Sequence, residues 1–206
     1  MPAIFTDADK EELRRSMLEA GWECLLEHGY RATRVEDIAR AVGIAPGTFY
    51  GFFPSKGVFV AQMVAENRHT LMNSLDVLIE RTGGAPRRED LRRWMNSAWH
   101  GKRAIFRYID VADYRKVRAA LPDDVHMGPE LVGSALEKIA SELARAGLSP
   151  DAELASSLQR VCALTLLARE ELAPTALERT VDALIEATLD ALYGRPACEG
   201  EEAQHE

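Results

Sequence analysis

Cysteine is scarce: Cys24, Cys162 and Cys198 are the three in 206 residues, and no two stand in a C-x-x-C spacing. The odd count argues against a disulfide framework and the spacing against a zinc cluster, so a reducing compartment fits and no metal is expected. Long apolar runs are missing, none approaching the ~18 residues that a membrane span needs. Met1 to Lys10 carry acids and no apolar leader core. Export and membrane insertion are therefore not expected, and the cytoplasm is. Positive charge is also short, with 25 Lys and Arg against 33 Asp and Glu and a formal net charge of −8, which suits phosphate binding only where bases gather on one face. Finally, no G-x-S-x-G, H-E-x-x-H, phosphate-cradling glycine loop or Cys-His pairing occurs. Nothing nominates a nucleophile, base or cofactor, and an enzyme is not expected.

What is there is helical periodicity. The chain is 47% hydrophobic, enough for a packed core, and its apolar residues recur at the 3.6 period with almost no strict alternation, predicting an all-α fold of about nine helices. The first is expected from about Asp7 to His28 with Gly29 as its left-handed cap. Thr33-Arg34-Val35-Glu36 reads as a capping box opening a second helix that ends at Gly43, and Pro46 opens a third through about Phe52. Ser55 then caps a helix reaching about Arg81, roughly 40 Å long. Further helices are expected over about 88–108, 111–121, Pro129 to Gly147, 150–171 and 174–193, with a loop over 122–128. The last two, joined by a short turn, form an antiparallel hairpin. This organisation predicts a small N-terminal domain over 1–54, a larger one over 55–195 and a frayed acidic tail over 196–206.

The informative segment lies at 34–53. Two short helices separated by a turn have helix-turn-helix dimensions, with Ile38, Val42, Ile44, Phe49 and Phe53 as a small core, Ala39 permitting close helix approach and Gly43 making the turn. From His28 to Lys56, four bases (Arg31, Arg34, Arg40, Lys56) face two acids (Glu36, Asp37), a local positive excess that the whole chain lacks.

The run from Gly29-Tyr30-Arg31 through Val42-Gly43-Ile44-Ala45-Pro46-Gly47-Thr48-Phe49-Tyr50 to Lys56 resembles the signature of the TetR family of transcriptional regulators, over about Leu13 to Val64. The resemblance implies a homodimer that places one recognition helix per subunit in successive major grooves of operator DNA, usually as a repressor released by a small-molecule inducer. It assigns Thr33 and Arg34 to contacts at the second helix start, Pro46, Gly47 and Thr48 to the groove, and Tyr50 and Lys56 to phosphate. Gly51, Phe52 and Gly57 depart from the common pattern and thin the reading face, leaving more to Arg34 and to DNA shape.

The resemblance also implies an inducer pocket in the larger domain. Trp94, Trp99, Phe106, Tyr108, Tyr114 and Cys162, with Met72, Met95 and Met127, are candidates for its lining, since aromatic and sulfur side chains line apolar pockets as they fill cores. On the final hairpin Leu158, Val161, Thr165, Val181, Leu184 and Thr188 are candidates for a dimer interface, in competition with packing inside the subunit. Arg87, Arg88, Arg92 and Arg93 read as a solvated face. The alternative function is a small-molecule carrier or interaction protein whose helix-turn-helix is degenerate.

Overall fold

The computed structural model describes residues 6–119 and 130–194, the side chains of 130–133 excepted. Met127, Cys198, Pro129, the 122–128 loop and the 196–206 tail lie outside the described residues. Those described form nine α-helices and two single 3₁₀ turns, with no strand among them.

α1 (Asp7–Ala32) starts at a true capping box: the Thr6 hydroxyl accepts from Asp9 N and the Asp9 carboxylate from Thr6 N. Gly29, at φ +74°, breaks the helix where its end was expected, and a short further turn follows across the kink. The box expected at Thr33 does not form. Thr33 is buried and its hydroxyl donates to the Gly29 carbonyl, closing α1 rather than opening α2, whose cap residue Arg34 contributes no side-chain bond.

α2 (Val35–Ala41) and α3 (Pro46–Phe52) follow, the turn between them made by Gly43 at φ +73°. α4 (Lys56–Arg81) is capped by Ser55 and α5 spans Arg88–Trp99. The expected continuous helix to Tyr108 is broken at Gly101, where a Cβ would lie 2.1 Å from the Ser97 carbonyl oxygen. A 3₁₀ turn, Ile105–Arg107, fills the interval. Then come α6 (Val111–Ala119), α7 (Glu130–Arg145), α8 (Ala152–Leu167) and α9 (Pro174–Tyr193), with Arg169–Glu171 the second 3₁₀ turn.

Two apolar cores are built on one shared helix. The first half of α4 gives Phe59, Val60 and Met63 to a cluster with Met17, Leu25, Ile38, Phe49 and Phe53. Its second half gives Leu75 and Ile79 to a cluster with Leu91, Met95, Leu136, Ile139, Cys162, Val181 and Leu189. The first cluster extends past residue 54 to Ile109, Val117 and Leu167. α1 meets α4 closely at Gly21, where an added Cβ would stand 2.4 Å from the Phe59 ring.

Of the arginines at the start of α5, Arg87 and Arg93 are solvated as expected, whereas Arg88 and Arg92 are half-buried against α9. Arg88 and Arg92 bond Glu186 of α9, Arg88 also bonds Asp190, and Arg87 and Arg93 flank buried Asp90. These charge-assisted bonds bind α5 to α9.

Candidate nucleic-acid interface and ligand cavity

Phe49 anchors α3. It is fully buried, with ring centroids 5.4 Å from Phe53 and 5.0 Å from Phe59. Ile38 and Ala39 beneath it are fully buried too, so the short α2–α3 unit has a rigid base despite having only two turns per helix. This orientation leaves Pro46, Gly47, Tyr50 and Gly51 exposed and Thr48 half-buried. Tyr50 stands edge-on to Phe49, half its surface open.

The bases of this region differ in availability. Arg31 bonds Asp110 and Asp113, and Arg40 bonds Asp37 at 2.8 Å. Lys56 donates to the Tyr30 carbonyl and, at 2.6 Å, to the Thr33 carbonyl, with its ammonium 4.3 Å from the Tyr30 ring centroid. Partial burial lowers its pKa, with Asp113 opposing the shift. Two of its three N–H donors thus close the end of α1 and one remains. Arg34 is exposed and makes no ion pair among the described residues. Thr33, expected among the DNA contacts, has a buried side chain and an occupied hydroxyl, so it shapes the α1–α2 junction.

A cavity of about 120 Å³ lies among α4, α5, α7, α8 and the 101–106 connection. Trp94, Trp99, Phe106 and Met72 line it. Tyr108, Tyr114 and Cys162 do not. The two tyrosines pack against the N-terminal core, and Cys162 sits fully buried in the other core, its thiol pushed up to about 12 by burial. Met95 likewise belongs to that core.

Sequence reasoning missed the polar lining residues Asn67, Arg68, Arg103 and Gln159. A signal existed: Asn67 and Arg68 interrupt the α4 stripe Val64, Leu71, Met72, Leu75, and Gln159 interrupts the α8 stripe Ala155, Cys162, Leu166. A polar residue inside an apolar stripe needs a partner. Gln159 has two: its Oε1 accepts from Trp99 Nε1 at 2.5 Å and its Nε2 donates to Thr188 Oγ1 at 2.8 Å.

That pair corrects two interface candidates. Val181 and Thr188 have no exposed surface within a single chain, because the first packs in the core and the second bonds Gln159 and the Leu184 carbonyl. Neither can meet a partner. The outward face of the hairpin instead exposes Leu154, Val161 and Leu164, at 48%, 45% and 56%, beside half-buried Leu158, Thr165 and Leu184. Exposure this high for three large aliphatic residues on one helix marks an unpartnered surface.

The described residues thus carry a helix-turn-helix on one apolar core and a lined cavity beside the other. Residues 17–63 match the family described as bacterial regulatory proteins, tetR family. The family match is thus confined to the N-terminal segment that carries the helix-turn-helix. The chain is 32% identical over 68 residues to the HTH-type transcriptional repressor DhaR of Mycobacterium sp. (strain GP1), a match covering 33% of this chain and 34% of that protein. The match thus spans about a third of that relative's length. The fold is similar to a TetR transcriptional regulator from Streptomyces coelicolor, with TM-score 0.56 and 24% identity over 89% of this chain and 99% of that one. It is also similar to a TetR-family regulator from Pectobacterium atrosepticum, with TM-score 0.60 and 20% identity over 93% and 99%. Among the described residues no helix is long and apolar enough to cross a membrane.

Proposed function

We propose that this chain is a homodimeric repressor of transcription that leaves its operator when a small molecule fills the cavity. The observation that carries the reading is the course of α4. It begins at Lys56, against the end of the helix-turn-helix unit, and its residues Val64 to Met72 wall the cavity. A ligand that shifts this one rigid element alters the placement of α3, a population shift between binding-competent and incompetent arrangements. Pro46, Gly47, Thr48 and Tyr50 meet the DNA, Arg34 reads or positions beside them, and the remaining Lys56 N–H reaches a phosphate. Leu158, Val161, Thr165 and Leu184, joined by Leu154 and Leu164, form the four-helix dimer face that sets two recognition helices one helical turn apart.

The test is an anisotropy titration against the DNA flanking the chain's own gene across a salt series. Saturable binding that weakens with salt is expected, with Tyr50→Phe lowering affinity uniformly across sequences, Lys56→Ala reducing the salt slope by about one, and Arg34→Ala changing preference among sites. Lack of saturable binding at every salt concentration would overturn the reading in favour of a carrier with a degenerate helix-turn-helix.

A further inference from the structure

The walls of the cavity are apolar except for a few groups, and nearly all of those are engaged. Trp94 Nε1 donates to the Leu71 carbonyl and Ser74 Oγ, Trp99 Nε1 to Gln159, and Asn67 Nδ2 to the Arg103 carbonyl. Arg68 is the exception. One of its terminal nitrogens donates to Ser134 Oγ at 3.1 Å, but its Nε is buried with no hydrogen-bond partner. The acids of α4 on either side are held elsewhere, Glu66 by Arg14 and Asp76 by Lys138, and among the described residues no carboxylate pairs with Arg68. Among the described residues, then, this guanidinium with a buried, unsatisfied donor beside an apolar cavity has no counter-ion, and an incoming molecule can supply one.

We infer that the effector is an amphipathic monocarboxylate, its carboxylate received by Arg68 and its apolar body laid against Trp94, Trp99 and Leu71. This rests on the reading of the cavity as the effector site. The planar fork of a guanidinium matches a carboxylate better than it matches a hydroxyl, and an ammonium head is repelled. An apolar body without an acid leaves the Arg68 donor buried and unmet, so the discrimination is set by the head group rather than by the size of the tail.

The test compares octanoate, 1-octanol and octylammonium by calorimetry on the full chain, with indole fluorescence from the cavity as a second readout. Octanoate is expected to bind at least about tenfold more tightly than 1-octanol, the scale of a hydrogen bond to a charged group, and octylammonium weakest of all. Arg68→Met brings octanoate binding down to or below that of 1-octanol, and Arg68→Lys retains part of the preference for octanoate. Equal or tighter binding of 1-octanol to the wild-type chain, or binding of none of the three, overturns the inference, and neither result depends on a variant folding. Arg68-dependent octanoate binding without any change in operator affinity upholds the ligand class and overturns release by ligand, so the two failures are distinguishable.

Discussion

Arg103 Nη2 donates to Glu19 Oε2 at 2.5 Å, joining the connection after α5 to α1 of the DNA-binding unit. The Arg103 carbonyl is held in turn by Asn67 of α4, and Arg103 and Asn67 border both the apolar cavity and a polar cleft against α1 that includes Glu11, Arg15 and Trp22. A side chain entering the cavity wall and a salt link to α1 therefore share one residue.

This arrangement gives Glu19→Ala a distinctive expected phenotype. The pair is exposed at both ends, so its loss costs less than about 1 kcal/mol of stability, and operator affinity without ligand stays near the wild-type value. The fall in operator affinity caused by octanoate shrinks about fivefold or more, as expected when a coupling contact is removed. Anisotropy titrations with and without octanoate measure it, and an undiminished ligand effect in the variant shows that the coupling runs through α4 alone.

Gly21→Ala tests the close contact of α1 with α4. A glycine to alanine change inside a helix ordinarily gains about 1 kcal/mol. Here the new Cβ would meet Phe59 Cζ at 2.4 Å, Phe59 Cε1 at 2.6 Å and the Met63 sulfur at 3.0 Å. Phe59 is itself packed between Phe49 and Phe53, so its ring has little room to move, and overpacking of this kind costs about 1–3 kcal/mol. The variant is expected to melt below the wild type in thermal unfolding followed by circular dichroism; a higher midpoint would show that the ring swings aside.

Gly21 also marks a limit of legibility. Helix positions followed from periodicity, and the turn at Gly43 with Pro46 opening α3 followed from local chemistry, because these are properties of neighbouring residues. The Phe49 anchor was legible for the same reason. What escaped depended on residues distant in the chain: Thr33 fits a capping box locally, yet its hydroxyl found the Gly29 carbonyl because α1 kinks there. Val181 and Thr188 share the helix spacing of interface residues, and only contacts with distant residues turn them inward, the apolar core for Val181 and Gln159 of α8 for Thr188. Arg68 was passed over because a charge on a helix usually faces water, although its place in an apolar stripe pointed to the cavity.

Stability should depend on acid through the α5–α9 ion pairs. Hydrogen bonding from Arg92 is the largest influence on Glu186; burial opposes it, Arg88 adds a lesser bond, and the carboxyl is held below the usual carboxylate range. A folded pKa below the unfolded one means that this contribution is present above the unfolded value, about 4.3, and is lost as pH falls through the folded value. In urea titrations the gap between wild type and Glu186→Gln should be constant from neutral pH to about pH 5 and close on further acidification. Because Glu186 is substantially exposed, the gap is a fraction of about 1 kcal/mol and shrinks in salt. A gap that widens toward acid would assign the shift to another carboxylate.

Val161→Glu separates the dimer face from the intramolecular core. Val161 is 45% exposed in the single chain, and its neighbours on the outward stripe, Leu154 and Leu164, are also exposed, so a carboxylate there meets water and leaves the fold of the isolated subunit intact. In a four-helix interface the same carboxylate would be buried against its symmetry copy, where two like charges are desolvated together. The dimer dissociation constant is then expected to rise at least about a hundredfold, with the circular dichroism spectrum unchanged and operator affinity falling because one half-site binds without the effective concentration of the other. Sedimentation velocity across a dilution series reads the first effect and anisotropy the second. A variant that sediments as the wild type does would move the dimer contact off the α8 face, while a wild-type chain monomeric at all concentrations would remove the homodimer itself.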